Sequence, residues 1–222
     1  MRLRAMLGGA PKALAEIGGV PLLGRQLEAI RRSGACQDVL VLTGHGARPV
    51  ADFCSDGGAF GLRVRCVAEV RPLGTGGALF HALPYLDPVF LVLNGDMLIE
   101  TDLAALIAAH RGAATLALQP CDHPEDADLL AMRGDGRITA LLPYPHPPAR
   151  SREHPAYAGL AVCQREVLAL AAGRRDFSRD ILAPLIAGGA AVYGYRAEGR
   201  LLDIGTPERL AEARAGFAAA SG

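Results

Sequence analysis

The chain has 222 residues, half of them apolar, and its 23 Lys and Arg are balanced by 23 Asp and Glu. A chain of this length can bury a full core without disulfide or metal staples, and zero net charge with both signs interspersed argues against a nucleic-acid tail or a polybasic membrane patch. The five cysteines (Cys36, Cys54, Cys66, Cys121, Cys163) form no CxxC pair, so neither a disulfide framework nor a zinc site is indicated.

The first half alternates helical patterns with apolar runs bounded by Gly, Pro or Asp, the rhythm of an α/β domain with a largely parallel sheet. Pro21 to Arg32 reads as a helix with Leu22, Leu23, Leu27 and Ile30 on one face. Asp38 to Thr43 reads as a buried strand, followed by a helix from about Pro49 and an alternating strand over Leu62 to Ala68. Gly77 to Leu83 reads as a short helix, and Val89 to Leu93 (VFLVL) as a central strand. Thr101-Asp102 caps a helix running to about His110, and Ala114 to Leu118 is a further strand.

In the second half, strands over Leu129 to Met132 and Ile138 to Leu142 flank Gly134-Asp135-Gly136, a hairpin turn. Pro143 to Pro155 is proline-rich and reads as a surface loop or flap. Tyr157 to Val162 is a strand, Phe177 to Ile186 a helix, Ala191 to Arg196 and Arg200 to Asp203 strands, and Thr206 caps a closing helix to Phe217. No apolar run approaches the ~20 residues of a membrane span, and Met1-Arg2-Leu3-Arg4 is not followed by a signal-peptide core. A cytoplasmic protein is expected.

Four segments carry chemistry. Lys12 is the one lysine among the 23 basic residues, and an ammonium is a compact point charge where a guanidinium is a wide planar fork, which suits contact with a single phosphate oxygen. Asp96 follows the strand ending in Leu93-Asn94-Gly95, and Asp203 follows another, so both carboxylates are placed at strand ends, where open α/β sheets bind ligands. Two carboxylates there suit Mg²⁺, which takes hard oxygens and completes its shell with water and substrate phosphates; an aspartate that merely caps a turn is the alternative for each. The run Gly74-Thr75-Gly76-Gly77-Ala78 offers backbone N–H groups at a helix start without a Cβ to block a base or a phosphate, although helix packing explains many such runs. It matches neither the GxGxxG nor the Walker A spacing. His110, His123, His146 and His154 pair with no recognisable Ser or Cys nucleophile motif, so hydrolase chemistry is not supported.

Together, PKALAEIGGVPLL, PLGTGGAL, LNGD and LDIGTPERL resemble, in order, the motifs of sugar-1-phosphate nucleotidylyltransferases, over Arg2 to Phe217. HPEDADL and GYRAEGRLLDIGTPERL are most similar to the D-glycero-D-manno-heptose 1-phosphate guanylyltransferase branch. The resemblance implies a Rossmann-like, doubly wound mixed sheet with a small β appendage and the proline-rich flap. It implies one domain over residues 1–222, with a nucleotide-binding half (1–120) and a sugar-phosphate-binding half (121–222). The implied reaction joins an NTP, GTP favoured, to a heptose or hexose 1-phosphate with release of pyrophosphate, dependent on Mg²⁺. Lys12, Asp96 and Asp203 would be catalytic, the two aspartates holding Mg²⁺. Arg2, Glu69, Gly74, Thr75, Gly76 and Asn94 would bind the nucleotide, Glu69 accepting from guanine N1 and N2. Gly159 and Tyr144 would meet the sugar phosphate. No nucleic-acid or membrane partner is implied, and a homo-oligomer is left open.

Two departures stand out. The family's LAGGxGTRLRP loop is represented only from RLR onward and its first strand is missing, so the expected explanation is a true start upstream of Met1; the alternative is Arg2 to Leu7 serving as a replacement strand. With the triphosphate loop missing, a binding or regulatory relative that retains sugar-nucleotide affinity without turnover is the rival function. Relatives also carry Lys where this chain has Tyr144, which donates a hydrogen bond but no charge; Arg150 and Arg152 are candidates to compensate.

Overall fold

A computed structural model of the chain describes residues 7–44, 46–121, 127–146, 154–173 and 175–220, with the backbone alone for 218–220. Glu16–Ile17 (β1) and Val20–Pro21 (β2) form a short antiparallel hairpin, and Pro21 hands the chain to helix α1, Leu22–Ser33. Proline suits that junction because its fixed φ is already close to helical and its missing N–H is not needed in the first turn. α1 buries Leu22, Leu23, Leu27 and Ile30, the face read from the sequence, and ends at Gly34 in the left-handed conformation.

The chain continues through β3 (Asp38–Thr43), α2 (Ala47–Cys54), β4 (Arg63–Ala68), α3 (Gly74–Ala82) and β5 (Val89–Leu93). It then runs through β6 (Met97–Thr101), α4 (Leu103–Ala108), β7 (Ala114–Gln119), β8 (Leu129–Met132), β9 (Ile138–Leu142) and β10 (Ala156–Gln164). The last elements are a π-helical turn (Phe177–Leu182), α5 (Ala183–Ala187), β11 (Val192–Arg196), β12 (Gly199–Asp203) and α6 (Pro207–Ala220). Among the described residues no helix is long and apolar enough to cross a membrane.

These elements form two compact units, residues 1–70, 94–104 and 198–222 in the first and 71–93 and 105–197 in the second. In the first, β3 and β4 pair in parallel from Asp38 opposite Arg63 to Thr43 opposite Ala68, and β6 pairs antiparallel with β12. One core cluster there joins Ala15, Ile17, Leu22, Leu98, Ile204, Leu210 and Ala213. In the second, β10 is the hub of a six-stranded mixed sheet in the order β11-β7-β10-β8-β9, with β5 also on β10.

The mixed sheet agrees with the fold class read from the sequence, while the largely parallel character does not hold. β7 and β11 are parallel, but β5, β7 and β8 all run antiparallel to β10. VFLVL, expected as a central strand, has β10 as its bonded neighbour among the described residues, and only Phe90 and Val92 of its side chains are buried. β6 was not foreseen. Its partner arrives about a hundred residues later, a pairing that local periodicity does not encode.

Candidate active site

The β6–β12 pairing builds the centre of the site. Asp203 stands opposite Met97, and the Ile204 N–H donates to the Asp96 carbonyl at 2.8 Å, so Asp96 lies just beyond one strand end and Asp203 at the adjoining one. Leu98 and Ile204 are sunk into the core of the first unit and anchor the two strand ends, while the Asp96 and Asp203 side chains stay 36 % and 43 % exposed. A Cβ at Gly205 would lie 2.8 Å from Asp203 Oδ1 and 3.6 Å from Asp96 Oδ2. The two carboxylates thus converge on a residue that has no side chain to separate them.

Lys12 joins them from a single 3₁₀ turn, Lys12–Leu14, that follows Pro11. Its Nζ donates to the Gly205 carbonyl at 3.3 Å and lies 3.9 Å from Asp96 Oδ2. Burial, and next the neighbouring Asp203 charge, push the Asp96 carboxyl above the ordinary aspartate range, with Lys12 and Arg209 pulling the other way. A group of hard oxygens that repel one another in this manner fits a divalent cation. Among the described residues no three His, Cys, Asp or Glu side chains gather as a metal cage, and two carboxylates are what Mg²⁺ takes when phosphates and water complete its shell.

Arg209 was not singled out in the sequence. Its Nη1 donates to Asp203 Oδ2 at 3.0 Å, while Asp203 Oδ1 accepts the Gly205 N–H at 2.5 Å. The available signal was the Thr206 cap: Arg209 N–H donates to Thr206 Oγ1 at 3.3 Å, which puts residue 209 in the first turn of α6, close to the end of β12. A second unforeseen residue is Gln26 of α1, 3 % exposed. Its Nε2 donates to the Asn94 and Met97 carbonyls at 3.0 and 2.7 Å, clamping the turn that bears Asp96. Asn94 itself leaves its side chain exposed.

Glu69 follows β4; its N–H donates to the Thr43 carbonyl at 2.8 Å, and its Oε2 lies 3.4 Å from where a Cβ of Gly44 would be. It is half-buried at the carboxyl ends of β3 and β4. Arg2 lies outside the described residues, as do Arg150 and Arg152.

The remaining sequence-predicted residues belong to the second unit. α3 begins at Gly74, three residues earlier than expected, so the glycine run lies inside the helix. Gly74 has a φ of 75°, and a Cβ there would collide with the Arg175 carbonyl. The Gly76 N–H donates to that same carbonyl at 2.9 Å, and Thr75 Oγ1 accepts from Phe177 N–H at 3.0 Å. Close packing of α3 on the 175–181 segment therefore explains the glycines, and the Gly76 amide is already engaged. Tyr144 donates its N–H to Asp128 Oδ1 at 3.0 Å and accepts at its carbonyl from Arg179 Nη2 at 2.8 Å; the residue is about half exposed. Gly159, φ 68°, sits where the β10–β7 register shifts between Tyr157 and Ala161, a bulge that asks for a left-handed residue.

The chain is similar to known proteins in sequence and in fold. The chain is 32 % identical to the mannose-1-phosphate guanylyltransferase of Mycobacterium tuberculosis over 214 residues, covering 93 % of this chain and 58 % of that protein. It is 33 % identical to the bifunctional protein GlmU of Paracidovorax citrulli over 218 residues, covering 91 % and 46 %, and so spans about half the length of these relatives. HddC from Yersinia pseudotuberculosis has the same fold, with a TM-score of 0.79 at 22 % identity over 93 % of this chain and 90 % of that one. The model of the MobA-like NTP transferase domain matches residues 4–188, a stretch that carries Lys12 and Asp96 in their motifs. By this match and the shared fold, the chain belongs to the family of the MobA-like NTP transferase domain.

Proposed function

We propose that the protein is a Mg²⁺-dependent nucleotidyltransferase that joins a sugar 1-phosphate, a heptose or hexose, to an NTP to give an NDP-sugar and pyrophosphate. The observation that carries this reading is the convergence of Lys12, Asp96 and Asp203 around Gly205 in a chain of this family. In the reaction an oxygen of the sugar 1-phosphate attacks the α-phosphorus of the NTP, the bond to the bridging oxygen breaks, and pyrophosphate leaves. Such transfer is catalysed mostly by positioning and charge stabilisation.

Lys12, 43 % exposed and held by one carbonyl and one carboxylate, is free to turn its ammonium to the phosphate oxygens at the reacting centre. Asp96 and Asp203 would hold Mg²⁺, which supplies charge neutralisation on the phosphate oxygens when bound. Glu69 would accept from guanine N1 and N2, which favours GTP. Asn94 and Arg2 are proposed on the nucleotide, as are Gly74, Thr75 and Gly76 in the second unit; Tyr144 and Gly159 are proposed on the sugar phosphate. There, Arg179 supplies beside Tyr144 the positive charge that a Lys would have brought. A cytoplasmic location accompanies this reading.

Pyrophosphate release from each of four NTPs with a panel of sugar 1-phosphates tests it. Turnover dependent on Mg²⁺ and highest with GTP is expected. NTP binding without pyrophosphate release for any pair would overturn it in favour of a sugar-nucleotide-binding relative without turnover.

A further inference from the structure

The second cation of the cluster behaves differently from the first. Lys12 is 43 % exposed and approaches Asp96 only to 3.9 Å. Arg209 is 20 % exposed, and its Nη1 sits at hydrogen-bond distance, 3.0 Å, from Asp203 Oδ2. Its backbone is fixed as well, because its N–H caps onto Thr206 and the helix it begins is rooted through Leu210 and Ala213 in the core. Lys12 can leave its carboxylate for a substrate; Arg209 is built to stay.

The orientation of Asp203 does not depend on Arg209 alone. The Gly205 N–H already holds Oδ1 at 2.5 Å, a contact made by the backbone and insensitive to side-chain substitution. What Arg209 adds is a fixed positive charge on the other oxygen. A charge so placed opposes any cation sharing the same carboxylate, since like charges a few ångströms apart repel even under strong screening, and it takes up one of the oxygens a metal would use.

We propose that Arg209 is a positioning residue acting through Asp203: it holds the carboxylate and lowers the affinity of the Asp96–Asp203 pair for a free divalent cation, so that the cation is held firmly only together with a polyphosphate. This rests on the reading of Asp96 and Asp203 as the metal carboxylates. It goes beyond that reading by assigning to this chain's own arginine the control of when metal binds. Two carboxylates facing two cations form a group without net charge, and an incoming Mg²⁺-triphosphate brings the negative charge that compensates for keeping Arg209 in place.

The test is Mn²⁺ binding to the full chain without nucleotide, read from the electron paramagnetic resonance signal of free Mn²⁺. Arg209→Gln, which keeps polar reach and removes the charge, should bind Mn²⁺ roughly five- to tenfold more tightly than the wild type. Arg209→Lys, which keeps the charge, should stay within about twofold, and it carries the test should the glutamine variant fail to fold. A merely structural arginine predicts the opposite, a weakened site in both variants. Unchanged or weaker Mn²⁺ binding in Arg209→Gln, or a large change in Arg209→Lys, overturns the proposal. Wild-type Mn²⁺ affinity that Asp203→Asn leaves unchanged overturns it too, by removing the metal reading beneath it. Failure of the transferase reading is seen separately, as absent pyrophosphate release with Mn²⁺ binding intact.

Discussion

Asp96 carries the sharpest consequence at the scale of one residue. Its carboxyl is pushed above the ordinary range by burial and by Asp203, so between the ordinary and the raised value the folded protein binds more protons than the unfolded chain. Stability then falls as pH rises through that window, and the contribution is fully lost above the raised value. Asp96→Asn abolishes this dependence. Without metal, the melting temperature of the variant should equal or exceed that of the wild type by a degree or two near neutral pH, and the difference should shrink or reverse as pH falls toward the ordinary aspartate range. Mg²⁺ added with a non-hydrolysable NTP should raise the melting temperature of the wild type more than that of the variant, and Mg²⁺-dependent turnover should drop by about 100-fold or more. Thermal denaturation across pH, with and without Mg²⁺ and the NTP, reads the first two effects, and a variant that, without metal, melts lower than the wild type near neutral pH would contradict the argued repulsion.

At the scale of elements, the site depends on α1 holding the turn before β6. Gln26 is buried and satisfies the Asn94 and Met97 carbonyls together. Gln26→Leu takes a buried donor from the Met97 carbonyl and leaves the Asn94 carbonyl with the longer Met97 N–H bond of 3.3 Å, which costs about 1–3 kcal/mol. It should also loosen the backbone that aims Asp96, so Mg²⁺-dependent activity should fall alongside stability. Chemical denaturation and turnover measured on the same preparation check this; a stable variant with full activity would show that β6 and β12 hold the turn without α1. This clamp was not legible in the sequence, because a lone Gln within an amphipathic helix looks like any surface residue at the edge of its apolar face. α1 itself, β3, β4, β7 and the β8–β9 hairpin were legible, since each has its own period and punctuation. The helix start at Gly74 was misplaced by three residues because glycine reads as a breaker, whereas here Gly74 lets the helix approach the Arg175 backbone and Gly76 that of Asp176.

For the whole molecule, the ordered motifs were enough to place the chain in its family, and the match over residues 4–188 bears that out. The fold class was legible for the same reason, while the strand directions were not: β10 arrives late in the chain and turns the sheet of the second unit mixed. Of the residues assigned to chemistry, Lys12, Asp96 and Asp203 come together within the first unit because β6 and β12 pair across about a hundred residues. Arg209 escaped notice since an arginine after a capping threonine carries no mark of its partner. The protein holds 23 acidic residues in all, and the account rests on two of them differing from the rest. Anomalous diffraction from crystals grown with Mn²⁺ and a non-hydrolysable NTP measures this directly. The account predicts one strong peak bound by both Asp96 and Asp203, with the Lys12 ammonium turned to a phosphate oxygen. A peak held by other carboxylates, with Asp96 and Asp203 making no contact to the metal, would contradict it.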